Sequence, residues 1–513
     1  MHDSPVPPAP AAPAAATAAI ARLGWPMRLA LAAPAALLYA ALAPRVVGEG
    51  DSAELTLALV QCGVPHPPGY PLWTLAGSAF VHALHAVGVA WAHAANLWSA
   101  ASASLAVLFA ISLADELVDV ALPRAARACL LAAVPLVLVA LPTFLRAATQ
   151  AEVYAFEAAW TAVIAWHALR TLRGVESAKP FRRRDALGWG LLAGVALAHR
   201  PTMLATAVPL ALALLRVLHR RGTLRVDRIA VAIAGALVPA ATYALVLWRA
   251  RHPAAFQWPL LEPGLAGLLR HASGGVYAGY LVQRDTGGAG AALFTGTLAP
   301  VLALGLAGAL ASWRGLDRTT RTFATALAAS GLLQCLFAAL YGVTDFDFFL
   351  LPVVVFAVLA LVRGAAEQLR RAADPLAPAA LLLTALAFVA ALPVAREVSR
   401  LRVLADVDAS VREAFLALPF DEGIVVWNTD SHARLVALQQ LEGHKPRVVV
   451  LDGRMLTWPR PRAEAARRLG FDPLGGLELR TDADLEQLAP SLAARSGRSV
   501  AEFGTWWANR PRR

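Results

Sequence analysis

Apolar runs separated by short polar, mostly basic stretches recur from Met27 to Val394, and most are long enough for membrane-spanning helices. The first covers about Met27–Val47. Leu72–Val89 is also apolar, but it carries His82 and His85 and is followed by Trp91 and His93. Counting it as a span breaks the charge pattern downstream, so a helix lying at the membrane interface is expected there. The second span is then about Ala94–Ala114, followed by an inner loop at Asp115–Arg127. The third runs to about Leu145; the fourth follows a short turn near Arg146–Glu152 and ends near Leu169. Basic clusters at Arg170–Arg184 and Arg216–Arg228 leave room for two short crossings, with His199-Arg200-Pro201-Thr202 at the midpoint. That midpoint reads as an outer turn or a buried break, with a re-entrant hairpin as the alternative. Further spans are expected at about Ile229–Trp248, at Ala291–Ser312, up to Leu340, up to Val362 and at Leu376–Val394. The pattern predicts an all-α polytopic membrane domain over residues 27–394, with about eleven crossings.

The flanks differ. Residues 1–26 are a Pro/Ala-rich tail expected to be disordered. Arg249–Gly290 is a long loop, and loops of that length are uncommon without a function. Beyond residue 394 the periodicity changes. GIVVWNTD (Gly423–Asp430) and PRVVVLDG (Pro446–Gly453) read as buried strands on either side of a helix at Ser431–Glu442. A small α/β domain over residues 395–513 is expected. No internal repeat stands out.

Composition supports the membrane reading. Of 513 residues, 58% are hydrophobic and 16% charged, against about 25% charged in soluble domains. The net charge of +11 comes from arginine-rich loops, which the positive-inside rule places in the cytoplasm; nucleic acid is then a poor partner. Arg22 and Arg28 put the N-terminus inside, the first loop (residues 48–93) outside and, after an odd number of spans, the C-terminal domain outside. Cys62, Cys129 and Cys335 lie too far apart for a disulfide framework or a metal motif.

Charged groups at membrane depth are costly and point to function. The stretch Gly48–Trp73 concentrates them. Asp51 and Glu54 share a face if the segment is helical, Ser52 could cap that helix, and Glu49, Asp51 and Glu54 lie near its positive end. His66-Pro67-Pro68-Gly69-Tyr70-Pro71 then makes a rigid turn. A stiff loop holding carboxylates at a membrane mouth suits chemistry; a capped interfacial helix with a proline turn is the plain alternative. His66 either binds a phosphate or braces the loop. Glu152 and Tyr154 open the fourth span as a site or as interface anchors, and Arg146 either contacts substrate or snorkels. His199 and Arg200 sit mid-segment. Asp345 and Asp347 flank Phe346 as site residues or helix caps. Asn428, Thr429 and Asp430 end a strand, where α/β folds place ligands, although capping of the next helix by Asp430 or Ser431 is the favoured reading. The outward cations are Arg146, Arg200, Arg249, Arg251, Arg270 and Arg284, partners for an anionic lipid head group.

Gly-Asp-Ser-x-Glu-Leu (Gly50–Leu55) followed by Val-x-His-Pro-Pro-Gly-Tyr-Pro-Leu (Val64–Leu72) resembles the signature of a bacterial and eukaryotic family once of unknown function. Its animal member is a transmembrane protein O-mannosyltransferase. Asn96, AEVYAFEA, the His199 segment, DFDFFLLP and the C-terminal VVWNTDSHARLVALQQLEGHKPRVVVLDG extend the resemblance over nearly the whole chain. Ala53 departs from an expected Gly, and Trp427-Asn428-Thr429-Asp430 from a longer Gly-Asp-Asn-Asp run. The family resembles the C-type (GT-C) glycosyltransferases, multi-span enzymes with an acidic motif in the first outward loop and a polyprenyl-phosphate-linked sugar donor.

The resemblance implies a bacterial inner-membrane enzyme with Asp51 as catalytic carboxylate and Glu54 beside it. It would move a mannose-like sugar from a polyprenyl-phosphate donor to a hydroxyl acceptor. His66, Tyr70, Arg146, Glu152, Tyr154 and His199, with Arg200, Asp345 and Asp347, are the candidate donor-phosphate and substrate contacts. Polyprenyl phosphate is already a good leaving group, so one carboxylate base suffices for displacement with inversion. Fixed cations or a divalent metal, Mg or Mn, must stabilise the departing phosphate. Two rivals predict other behaviour. A lipid or solute transporter would carry paired repeats and move substrate without covalent transfer; a membrane scaffold would tolerate loss of both Asp51 and Glu54.

Overall fold

The computed structural model describes residues 22–119, 121–281, 298–341, 346–429 and 431–503. Most of the expected tail lies outside the described residues, as do Arg284, Asp345 and Asp430.

The apolar runs become helices. α1 (Trp25–Leu42) starts at a Trp-Pro pair, where proline fits the first turn. Two short helices, α2 (Ser52–Gln61) and α3 (Pro71–Ala86), build the first loop, and α4 (Trp91–Leu117) follows. The third expected span is broken: α5 (Arg124–Val139) and α6 (Pro142–Thr149) meet at 79°. Proline at 142 has no N–H with which to continue α5. α7 (Tyr154–Glu176), α8 (Arg183–His199) and α9 (Leu204–Arg220) come next, with a 3-10 turn at Pro201–Met203 marking the expected midpoint. α10 (Val226–Ala240), α11 (Tyr243–Arg251) and the loop helix α12 (Gly264–Ala272) lead to α13 (Leu298–Trp313), α14 (Arg318–Leu340) and α15 (Leu351–Leu369).

Among the described residues, 7 helices are long and apolar enough to cross a membrane, or 8 with the bent α5–α6 pair. The larger expected count also needs α7, α8 and α13. α7 carries Glu157, Arg170, Arg173 and Glu176, while α8 has 17 residues and α13 has 16. Close approach of backbones holds part of the bundle. A Cβ at Gly190 of α8 would lie 2.0 Å from the Ala232 carbonyl oxygen of α10, and one at Gly194 would lie 2.4 Å from that of Ala236. This is the small-residue spacing that lets spanning helices touch.

The expected inner loop at Asp115–Arg127 is corrected. α4 continues to Leu117, and Asp115 is fully buried. Its carboxylate accepts Arg28 at 2.7 Å, Arg127 at 2.7 Å and the Leu23 amide at 3.0 Å. One acid thus ties the entry to α1, α4 and α5 together.

α16 (Leu376–Leu416) is a single helix of 41 residues, so the helix runs unbroken through the expected domain boundary at residue 394. It leads into a three-stranded parallel sheet of order β2-β1-β3, with β1 Glu422–Val426, β2 Arg447–Leu451 and β3 Val500–Glu502. The two anticipated strands and the helix between them, α17 (His432–Glu442), are present; β3 was not foreseen. Alternate strand residues feed two cores. Val425, Val448 and Val450 pack with Phe415, Leu435 and Leu438, and Ile424, Val426 and Val449 pack with Leu456, Leu469 and Leu492. α18 (Pro459–Leu469), α19 (Asp482–Glu486) and α20 (Leu488–Ser496) complete the domain. Ser431 stands at the N-cap of α17 but its side chain makes no capping bond.

Asp115→Ala leaves Arg28 and Arg127 buried beside no carboxylate. It is expected to cost about 3–5 kcal/mol, read as a large fall in Tm of the detergent-solubilised protein; an unchanged Tm contradicts the staple.

Candidate active site

Asp51, Glu54 and His66 come together at the first loop, with one ligand atom from each inside a common 4.8 Å spread. Asp51 is the N-cap residue of α2, and Glu54 lies in its first turn. The expected Ser52 cap does not form; the Ser52 hydroxyl instead accepts the Gly48 amide at 3.0 Å. Glu54 Oε1 accepts the His66 backbone amide at 2.6 Å and lies 3.3 Å from His66 Nδ1. On the other side of the ring, Nε2 lies 3.2 Å from the Tyr70 hydroxyl and 3.8 Å from Asp51 Oδ2. Burial alone would lower the His66 pKa, but Glu54 and then Asp51 outweigh it and raise it to about 9. Protonated His66 therefore sits between two carboxylates. The side chain of Glu54 is 13% exposed and that of Asp51 is 51% exposed.

The turn that delivers His66 is braced from outside. The Pro67–Pro68 bond is cis, and Gly69 has φ +87 with room for no side chain, since a Cβ would lie 2.8 Å from His271 Nε2. Burial pushes His271 down to about 4, and its neutral ring donates to the Pro65 carbonyl at 3.2 Å. The Trp258 backbone amide donates to the Val64 carbonyl at 2.7 Å, and Arg249 donates to the Gln61 and Cys62 carbonyls at 2.8 and 2.9 Å. The long loop after α11 thus clamps the proline turn. Arg249 and Arg270 are engaged locally, Arg270 with Glu262 at 2.9 Å.

The irregular stretch before Asp51 is held by side chains from far along the chain. Asn96 donates to the Pro44 and Val46 carbonyls, each at 2.9 Å, and accepts the Ala151 amide at 2.8 Å. Arg434 of α17 donates to the Val47 and Gly48 carbonyls. Arg400 of α16 reaches Glu49 at 3.0 Å and Glu397 at 2.6 Å. Ala433 and Ala437 pack on Val47, Ala53 and Leu57, so the C-terminal domain rests directly on the acidic loop.

A second charged group lies behind Tyr70. Arg200 is buried, paired with Glu157 at 3.0 Å, and its guanidinium stands 4.8 Å from the Tyr154 ring centre and 4.4 Å from that of Phe349. Thr202 donates to the same Glu157 at 2.8 Å. Both groups act on Tyr70, whose hydroxyl burial pushes well above its usual range; Arg200 opposes that shift, while Asp51, Glu157 and Glu54 add to it. His199 is fully buried, with the rings of Tyr70 at 5.5 Å and Phe156 at 5.0 Å as neighbours. Arg146 on α6 lies 6.0 Å over Phe348 and makes no ion pair among the described residues. Asp347 accepts the Thr143 hydroxyl at 2.6 Å rather than capping α15. Glu152 is buried, with its amide on Ser99 Oγ at 3.0 Å. Sequence reasoning missed Glu157. Its signal was a carboxylate inside an apolar helix facing a cation, Arg200, that also needed a partner.

This geometry fits a known class of fold. The chain is similar to ArnT from Cupriavidus metallidurans bound to undecaprenyl phosphate, with TM-score 0.53, 14% identity, 86% of this chain and 89% of that one. It also aligns with the apo oligosaccharyltransferase of Archaeoglobus fulgidus, with TM-score 0.48, 14% identity, 91% of this chain and 68% of that one. The fold is that of a polytopic GT-C membrane protein. More particularly, residues 51–223 match the family model described as the N-terminal domain of protein O-mannosyl-transferase TMEM260. The matched third of the chain contains Asp51, Glu54, His66 and the Glu157–Arg200 pair. Family match and fold together support a glycosyltransferase of GT-C type. No curated protein matches the chain.

The raised His66 pKa sets a pH window. Relative to about 6.5 when unfolded, the folded value is higher, so the ion cluster's contribution is full below about 6.5 and is lost as pH rises through about 9. The Tm difference between the protein and His66→Asn is expected to be largest near neutral pH or just below and to shrink by pH 9–10; a difference that widens with pH contradicts the assignment.

Proposed function

We propose that this protein is an inverting glycosyltransferase of a bacterial inner membrane. It moves a sugar from a polyprenyl-phosphate donor to a hydroxyl acceptor at the acidic-loop face, read as the outer face. The family match supports a mannose-like sugar and a protein Ser/Thr acceptor, with a glycan or lipid hydroxyl as the other acceptor class.

The observation that carries this reading is the division of labour in the acid pair. Glu54 is committed to the backbone and ring of His66, whereas Asp51 presents a half-exposed carboxylate at the same mouth. Asp51 takes the proton of the acceptor hydroxyl as its oxygen attacks the sugar's anomeric carbon. The bond to the donor phosphate breaks on the opposite side, and the lipid phosphate leaves carrying the electron pair. Glu54 and protonated His66 orient Asp51. Arg146, a cation without an acid partner among the described residues, faces the leaving phosphate; Arg200, Tyr70 and Tyr154 line the same wall, and Glu152 supports the turn. A bound undecaprenyl phosphate in ArnT is consistent with such a donor. The apolar helices berth the lipid tail, and the C-terminal domain, resting on α2, meets the acceptor.

Asp51, Glu54 and His66 also suit a divalent ion such as Mg or Mn, because two carboxylates and an imidazole form an oxygen-rich set that leaves positions for water. These three would hold it once His66 loses its proton, and the ion would supply positive charge near the departing phosphate.

Asp51→Asn is expected to lower sugar transfer by about 10²–10⁴-fold with expression and Tm retained. The assay is release of lipid phosphate by purified protein from a panel of polyprenyl-phosphate sugars, and unchanged release removes Asp51 from the mechanism. Arg434→Ala frees the Val47 and Gly48 carbonyls and lets the loop drift. A loss of up to about 10²-fold in kcat is expected, partly restored by Arg434→Lys; full activity in the alanine variant separates the C-terminal domain from catalysis.

A further inference from the structure

A cavity of about 510 Å³ lies between the last turns of α7 and the start of α8, at the opposite end of the bundle from the acid pair. At 1.5 Å per residue, its Arg170 is roughly 25 Å along α7 from Tyr154. Trp166 and Phe181 give it an apolar floor, and Arg170, Lys179, Arg182 and Arg184 line its walls. The acid among the lining residues, Asp185, is occupied: it accepts the Arg182 backbone amide at 2.7 Å and lies 3.8 Å from Arg184. Among the described residues, Arg170, Lys179 and Arg182 have no carboxylate partner, and Arg170 lies 4.7 Å over the Trp166 ring. His167 Nε2, also in the wall, is buried without a hydrogen-bond partner.

A basic loop alone needs only the positive-inside rule. A walled cavity with an aromatic floor, unpaired cations and an unsatisfied imidazole nitrogen asks for an anion with an apolar body. Leu187 and Leu197 are exposed along α8, and exposed leucines beside a bundle of membrane-crossing helices suit a lipid environment, which favours an anion that arrives within the bilayer. We propose that this cavity binds the head group of an anionic phospholipid, its phosphodiester among Arg170, Lys179 and Arg182 and its chains along α8. Basic pockets between spanning helices suit such head groups. The site is independent of sugar transfer, because it lies at the far end of α7 and shares no residue with the acid pair.

Lys179 and Arg182 are exposed, so replacing both leaves the fold intact. Native mass spectrometry of the purified full-length protein, titrated with phosphatidylglycerol or phosphatidylcholine, reads the binding. The unaltered protein should retain phosphatidylglycerol preferentially. Each cation near an anionic lipid surface is worth roughly fivefold in affinity, so Lys179→Gln with Arg182→Gln should weaken retention by about 25-fold. Arg314→Gln with Arg318→Gln removes the same charge near α14, whose Thr320 is tied to the same end by Arg173 at 3.1 Å, and should change little. The proposal is overturned by equal loss in the two pairs or by no preference between the lipids. It is overturned too if inorganic phosphate at low millimolar concentration displaces the lipid, since the ligand is then a free anion.

Discussion

Irregular backbone at the edge of an apolar bundle must have its hydrogen-bonding groups satisfied by protein, because little water is there to do it. The segment from Pro44 to Asp51 is such a stretch, and the rest of the site depends on how it is held. Asn96 serves three backbone groups at once, taking the Ala151 amide while donating to Pro44 and Val46. Arg434 serves two more from the other end of the sequence. Each unsatisfied buried group would cost about 1–3 kcal/mol, so these contacts decide where Asp51 stands. The acid pair is placed by its supports before any substrate arrives.

Charge is handled in the same spirit. Glu54 alone beside the membrane would be costly; with the His66 amide and a protonated ring it is compensated. Arg200 alone would be costly too, and Glu157 with Thr202 compensates it. Tyr70 stands between the two groups with its hydroxyl on His66 and its ring against His199. Beside these pairs stand Asp51, half-exposed and 3.8 Å from His66 Nε2, and an arginine, Arg146, resting on an aromatic face. Those are the charge types a displacement at a lipid-linked phosphate requires, one to take a proton and one to meet a leaving anion.

Much of this was legible in the chain, for physical reasons. Apolar runs forced helices, and the switch to the β-branched runs Ile424–Val426 and Val448–Val450 forced β1 and β2 around α17. His66-Pro67-Pro68-Gly69 announced a rigid turn through backbone restriction alone. Other parts were silent. Asp115 read as the start of a loop because nothing local shows that Arg28 and Arg127 converge on it from α1 and α5. β3 is 3 residues long and too mixed to stand out. Ser52 looked like a cap by type, yet its hydroxyl was claimed by Gly48. The partners of the acidic loop, Arg434 and His271, lie hundreds of residues away, and only the fold brings them near.

The C-terminal domain illustrates how such long-range contacts couple parts that composition separates. α16 passes without a break from apolar to charged sequence, so the domain cannot swing on a flexible linker at residue 394; a continuous helix transmits its position. Arg400 sits on that helix and touches both Glu49 of the loop and Glu397, which in turn accepts Thr149 of α6. A displacement of α16 therefore moves the loop that carries Asp51 and the short helix that carries Arg146 together. Asp51 and Arg146 thus share one mechanical frame, built on the Arg400 and Glu397 contacts of a single helix.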